Sequence, residues 1–254
     1  MTTTELPKKL GKDPIIDVIF ECRFDSKLPA SNILPGIFYK NFSDEERYLE
    51  RLLPQSEIPE FVRNNDPSME YLPLVRIRLK DYIFLIGDKS LAVACNLPYK
   101  GWAEFKEKII KAIEILESSD LANSISRYSL KYANLITNKH LSPEIKLVNL
   151  DLRIGSNSLK NESFQVRLDL NKDNFINIIQ IISNVRAFDV NGDEKEGLVI
   201  DIDTIKQLPD NQTQLGEIKK TLSDQLDKLH DVSKETFFDC LHSEILQHLE
   251  PHYE

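Results

Sequence analysis

The sequence predicts an α+β fold of two antiparallel-rich sheets with packed helices, the first half arranged like a split β-α-β and the chain closing on a pair of helices. Three observations predict it. Segments with an apolar residue at every second position recur in both halves, as strands with one buried face require. Between and after them lie stretches whose apolar residues recur every three to four positions, the spacing of amphipathic helices. The 254 residues are 41% hydrophobic, enough for a sizeable core at a length that suits one large domain or two smaller ones.

The first strand is Ile15 to Phe24, with Ile16, Val18, Phe20, Cys22 and Phe24 on one side. Prolines at 29, 35, 54, 59 and 67 then separate a short helix near 33–40 from a charged helix near 43–53. Leu74–Leu79, Tyr82–Ile86 and Leu91–Cys95 are short, β-rich and divided by turn residues, so they predict an antiparallel meander. Trp102, Phe105, Ile109, Ala112, Ile113 and Leu116 form one helical stripe opposite a charged face. Ser126–Ile136 alternates again, with Tyr128, Leu130, Tyr132 and Ile136 inward. The character changes at Ser142-Pro143, which divides an N-terminal half, 1–141, from residues 142–254, as two halves or as one continuous domain. Beyond it, residues 148–154, 164–170, 175–185 and 198–202 predict four successive antiparallel strands, with Asn191-Gly192 as a turn before the last. Leu215, Ile218, Leu222, Leu226 and Leu229 make a first terminal helix. Phe237, Phe238, Leu241, Ile245 and Leu249 make a second, capped by Ser233.

No apolar run approaches the roughly 20 residues of a membrane span, and Met1 to Asp13 lacks the apolar segment of a secretory signal. Cys22, Cys95 and Cys240 are odd in number and far apart, as in a reducing compartment. A cytoplasmic protein is therefore expected. The net charge of −9 is uneven: residues 1–188 carry 26 Lys and Arg against 25 Asp and Glu, residues 189–254 carry 6 against 16. An acidic terminal quarter repels nucleic acid and anionic lipid locally and steers a basic protein partner.

The eight glycines are too scattered for a phosphate-cradling loop or a dinucleotide fingerprint, and the chain holds no nucleophile elbow, no H-E-x-x-H and no C-x-x-C. No cofactor is implied. Asp201 and Asp203 alternate on a predicted strand, so their carboxylates share a side. With Asp151 or Asp169 from neighbouring strands they are weak candidates for a hard divalent ion. His248 and His252 have ligand spacing, but Pro251 between them ends the helix. Arg76, Arg78 and Lys80 project from one side of a strand, Arg127 and Lys131 from another, and Arg23 from the first. Together they predict a basic sheet face that suits RNA or nucleotide phosphate but lacks stacking aromatics.

Pro14 to Phe24, Tyr99-Lys-Gly-Trp102 with Phe105, and Arg127-Tyr-Ser-Leu-Lys-Tyr-Ala-Asn134, with a weaker echo in Leu229-His230, Phe238 and Leu241, resemble a family of sporadically distributed bacterial proteins of about this length. The family has no established activity, so the resemblance implies no catalytic residue. Its patchy distribution implies mobile genes of the toxin–antitoxin or phage-defence kind. The shared residues also have structural roles: Gly101 permits a tight helix entry, and Trp102 is a core anchor. The leading expectation is a non-enzymatic component that binds another protein, a basic one, through the acidic helices (Asp224, Asp227, Asp231, Asp239) or an exposed sheet edge. RNA or nucleotide recognition on the basic face is the alternative, and a divalent-metal-dependent enzyme the third.

Overall fold

The computed structural model describes residues 6–42, 49–137, 144–158, 162–188, 193–208 and 215–253. It is a mixed α+β structure that packs as two compact units. The larger comprises Val18–Leu130 and Ile205–Leu229; the smaller comprises Met1–Asp17, Lys131–Thr204 and His230–Glu254.

The elements of the first half are β1 (Ile15–Ser26), α1 (Leu34–Phe42), β2 (Leu49–Leu52), α2 (Glu60–Asn65), β3 (Pro73–Arg78), β4 (Tyr82–Gly87), β5 (Ser90–Cys95), α3 (Trp102–Ser118) and β6 (Ala122–Ile136). In the larger unit the strands follow the order β6-β1-β5-β4-β3-β2. β2 to β5 form an antiparallel meander, and β1 pairs antiparallel with β5. The chain then leaves β5 through α3 and returns as β6 on the far side of β1, which is the predicted split β-α-β.

Alternation decides which side of this sheet is dry. Val18, Phe20, Cys22 and Phe24 of β1, Ile77 of β3, Phe84 and Ile86 of β4, and Leu91 and Val93 of β5 are all within 1% of complete burial. Onto this side α1 places Phe38 and Phe42, whose rings lie 4.9 and 5.0 Å from that of Phe84, while Phe105 of α3 stacks on Tyr82. Burial pushes the Cys22 thiol far above its ordinary range, so it is an inert apolar filler. Gly101 enters α3 at φ +100°, a backbone that disfavours any side chain.

Residues 49–53 depart from the charged helix expected over 43–53. Leu49–Leu52 is strand β2, paired antiparallel with β3, and 43–48 lie outside the described residues. Pro54 bars a helix at the preceding residue, and the open edge of β3 supplies hydrogen-bond partners that a short charged helix lacks.

The second half adds β7 (Gln165–Lys172), β8 (Phe175–Phe188), β9 (Glu194–Gln207), α4 (Leu215–Cys240) and α5 (Ser243–His248). In the smaller unit the order is β7-β8-β9-β6. Its core gathers Ile136, Ile179, Ile181, Leu198, Ile200 and Ile202 with Phe237, Leu241, Ile245 and Leu249. Gly197 is dictated by close approach: a Cβ there would lie 2.3 Å from the Ile136 carbonyl oxygen. Inside this core Thr204 Oγ1 donates to Asn177 Oδ1 at 2.7 Å, so both buried polar groups are satisfied.

Three of the four expected strands form; of residues 148–154 only Arg153–Ile154 is strand, in a two-residue ladder with Asn157–Ser158. Glu144–Leu147 is a 3-10 turn, Leu147 and Val148 plug the core, and Val148 makes one bridge to Leu241. Asn149 Nδ2 donates to the carbonyls of Asp239 and Leu241 at 3.2 and 2.8 Å, and its backbone N–H to that of Cys240. These carbonyls end α4 and lack helical donors, so the segment serves as a helix cap. The helix pair forms with a shifted break. Ser233 is 98% buried inside α4 rather than capping a helix, because Leu229, Val232, Thr236 and Phe237 continue the buried stripe through it. The break falls at Leu241-His242. The Ser142-Pro143 division and the Asn191-Gly192 turn lie outside the described residues. Among the described residues, no helix is long and apolar enough to cross a membrane.

Candidate anion-binding face

Strand register builds the site on the second face of the larger unit's sheet. Arg51 of β2 is directly opposite Arg76 of β3, Arg76 opposite Leu85 of β4, Leu85 opposite Ala92 of β5, and Ala92 opposite Glu21 of β1. The next row on the same face is Arg78, Ile83, Ala94 and Ile19. Two arginines face each other across a strand pair, with a third two residues along. Like charges directly opposite are destabilising. Among the described residues no ion pair relieves them: Arg51, Arg76 and Arg78 make none. Arg51 and Arg78 are exposed and Arg76 half-buried.

Several other cations of this unit are matched. Arg23 Nε donates to Glu21 Oε1 at 2.6 Å, and its guanidinium lies 4.5 Å from the centre of the Tyr71 ring. Arg63 pairs with Asp88 at 3.0 Å and Lys89 with Glu70 at 2.8 Å. Arg127 is half-buried on β6. The predicted basic residues thus separate: Arg76 and Arg78 come together with Arg51, whereas Arg23 is committed to Glu21 and Tyr71.

Lys131 belongs to the smaller unit, where its Nζ lies 2.8 Å from Asp201 Oδ2. Burial there opposes its charge, but the Asp201 hydrogen bond and the carboxylates of Asp201, Asp203 and Asp17 outweigh burial and raise its pKa. Asp201 and Asp203 therefore face an ammonium. Asp201 Oδ1 is buried without a hydrogen bond. Asp151 and Asp169, the expected additional oxygens, are exposed and pair with Arg153 and Arg167, each two residues along the chain. Among the described residues no group of three or more His, Cys, Asp or Glu is placed to hold a metal ion. His248 ends α5, and His252 lies in a two-residue strand, Pro251–His252, paired with Lys9–Leu10.

The four acidic candidates all lie on α4 and have different surroundings. Asp227, in the larger unit, accepts the Trp102 indole N–H at 2.9 Å and the Lys106 ammonium at 2.6 Å, so it ties α4 to α3. Trp102 is accordingly a half-buried anchor with a polar handle. Asp224 is exposed in the same unit. Asp231 and Asp239 are exposed in the smaller unit, with His230 Nδ1 3.6 Å from Asp231.

Arg51 is the site residue that sequence reasoning missed. Leu-Glu-Arg-Leu also carries the alternation of a short strand, and that reading places Arg51 beside Arg76. Compared with known proteins, the chain matches no family model and no curated protein.

Proposed function

We propose that this protein binds the phosphate backbone of single-stranded nucleic acid, RNA foremost, on the face that carries Arg51, Arg76 and Arg78. The observation that supports this reading is the cluster of three arginines without ion pairs among the described residues, where strand register forces two of them together. A local rule broken without compensation marks a functional place more often than a structural one. An anion laid across the three relieves the repulsion and gains charge-assisted hydrogen bonds from guanidinium forks. The two residue rows beside them contain half-buried Ile83 and Leu85, then buried Ala92 and Ala94, and no aromatic. These rows thus offer charge and no stacking platform, so the arginines grip the backbone and ignore base identity.

The test is fluorescence anisotropy with a labelled oligouridine at low ionic strength, with the wild type against Arg76→Glu/Arg78→Glu. The variant is expected to bind at least about 30-fold more weakly, since two attractive phosphate contacts become repulsive. Its melting temperature should stay near that of the wild type. A wild type that binds no RNA at low salt contradicts the reading, as does a variant that binds equally well.

A second reading, a basic protein partner on α4, is favoured by the exposure of Asp231 and Asp239 in the smaller unit. Reversal of Arg76 and Arg78 leaves such a complex intact, which separates the two.

A further inference from the structure

The geometry points to self-association of this protein through β7, two copies pairing antiparallel about a two-fold axis at Leu168. β7 is the terminal strand of its sheet, and its eight residues lie mostly exposed, Leu168 and Leu170 by 46% and 47%. An open edge with exposed leucines is a template for another strand, and the residues on it determine which.

Register fixes what the edge presents. The Ser183 N–H donates to the Phe164 carbonyl, and the pairing of β7 with β8 continues unshifted from Gln165↔Ile182 to Lys172↔Phe175. Hydrogen-bonded pairs alternate along an antiparallel ladder. Even-numbered residues of β7 therefore bond to β8, and Gln165, Arg167, Asp169 and Asn171 turn their N–H and C=O groups to the open edge.

Pairing centred on Leu168 sets Arg167 opposite Asp169 of the second copy, and Asp169 opposite its Arg167. Both are outward-bonding positions, so the ladder continues without a gap. Gln165 meets Asn171, Leu168 meets Leu168, and Val166 meets Leu170. The even-numbered side chains share a face with Ile179 and Ile181 of the core, so the pairing extends the apolar layer over the two half-exposed leucines. Shifting by two in either direction sets Arg167 against Arg167 or Asp169 against Asp169, which like charges penalise. A strand whose sequence complements itself in one register, with its neighbouring registers opposed, specifies a second copy of the chain. In a single copy Arg167 Nε reaches Asp169 Oδ1 at 3.1 Å. In the pair these charges join a four-member network across the axis.

The test is sedimentation velocity over a range of protein concentrations, with the wild type, Arg167→Asp, Asp169→Arg and the double exchange. All these side chains are exposed, and circular dichroism confirms that each variant folds. The wild type is expected to shift from 29.3 kDa toward twice that mass as concentration rises. Each single variant places like charges opposite one another twice and should weaken association by about tenfold or more. The double exchange restores opposite charges and should recover it. A wild type that stays monomeric at all concentrations overturns the inference. So does association that the single variants leave unchanged, or that the double exchange does not restore.

Discussion

Leu226→Asp is expected to abolish cooperative folding of the larger unit. Leu226 is completely buried, in the middle of the stripe that Leu215, Ile218, Leu222 and Leu229 extend along α4. A carboxylate there gives up its hydration on burial, at a cost of several kcal/mol. The lost leucine contacts and the resulting void add about 2–5 kcal/mol. A domain's whole stability is about 5–15 kcal/mol, so the two together remove most of it. Thermal melting followed by circular dichroism should show the transition lost or lowered by tens of degrees. A melt close to that of the wild type would show that α4 is not part of this core.

The second large effect falls on Asp227, a residue that charge alone marks as a binding surface. Asp227→Lys removes the acceptor of the Trp102 indole N–H and sets a second ammonium beside Lys106. Charge-assisted hydrogen bonds contribute about 1.5–3 kcal/mol each when buried; Asp227 is 47% exposed, so the pair is discounted to about 2 kcal/mol. That corresponds to a melting temperature lower by roughly 4–8 °C. Asp231→Lys, at a position 70% exposed, should stay within about 0.5 kcal/mol of the wild type. Tryptophan fluorescence should change in the first variant and not in the second. Equal melting temperatures for the two variants would remove the structural role given to Asp227.

Local pattern carried much of this fold. The alternation in β1 and the stripe in α3 survive because each element presents one face to one layer, and burial then follows sequence period. The failures share a physical cause. Residues 148–154 alternate as a strand does, but Asn149 finds the unsatisfied carbonyls ending α4, a demand set by residues some 90 positions away. Ser233 has the chemistry of a helix cap, but Val232 and Thr236 beside it are buried, and packing overrides a cap that local chemistry permits.

The candidate site divides in the same way. The projection of Arg76 and Arg78 from one side of β3 follows from period two alone. That Arg51 stands opposite Arg76, that Arg23 is matched by Glu21, and that Lys131 is matched by Asp201 are facts of strand order and register. Composition does not encode them. The concentration of acid in 189–254 likewise dissolves into separate roles. Asp201 meets Lys131, Asp227 meets Lys106, Glu235 meets Lys172, and Glu250 meets Lys12.

The salt dependence of oligouridine binding tests the central claim most directly, because it reports the number of phosphate contacts. Three arginines on the phosphates of a single-stranded RNA predict a plot of log affinity against log salt concentration with slope near −2, at about −0.7 per neutralised phosphate. Arg76→Gln/Arg78→Gln, which removes charge without reversing it, should flatten the slope to about −0.7. A slope near zero in the wild type, or the same slope in the variant, would show that the phosphate backbone does not lie on Arg51, Arg76 and Arg78.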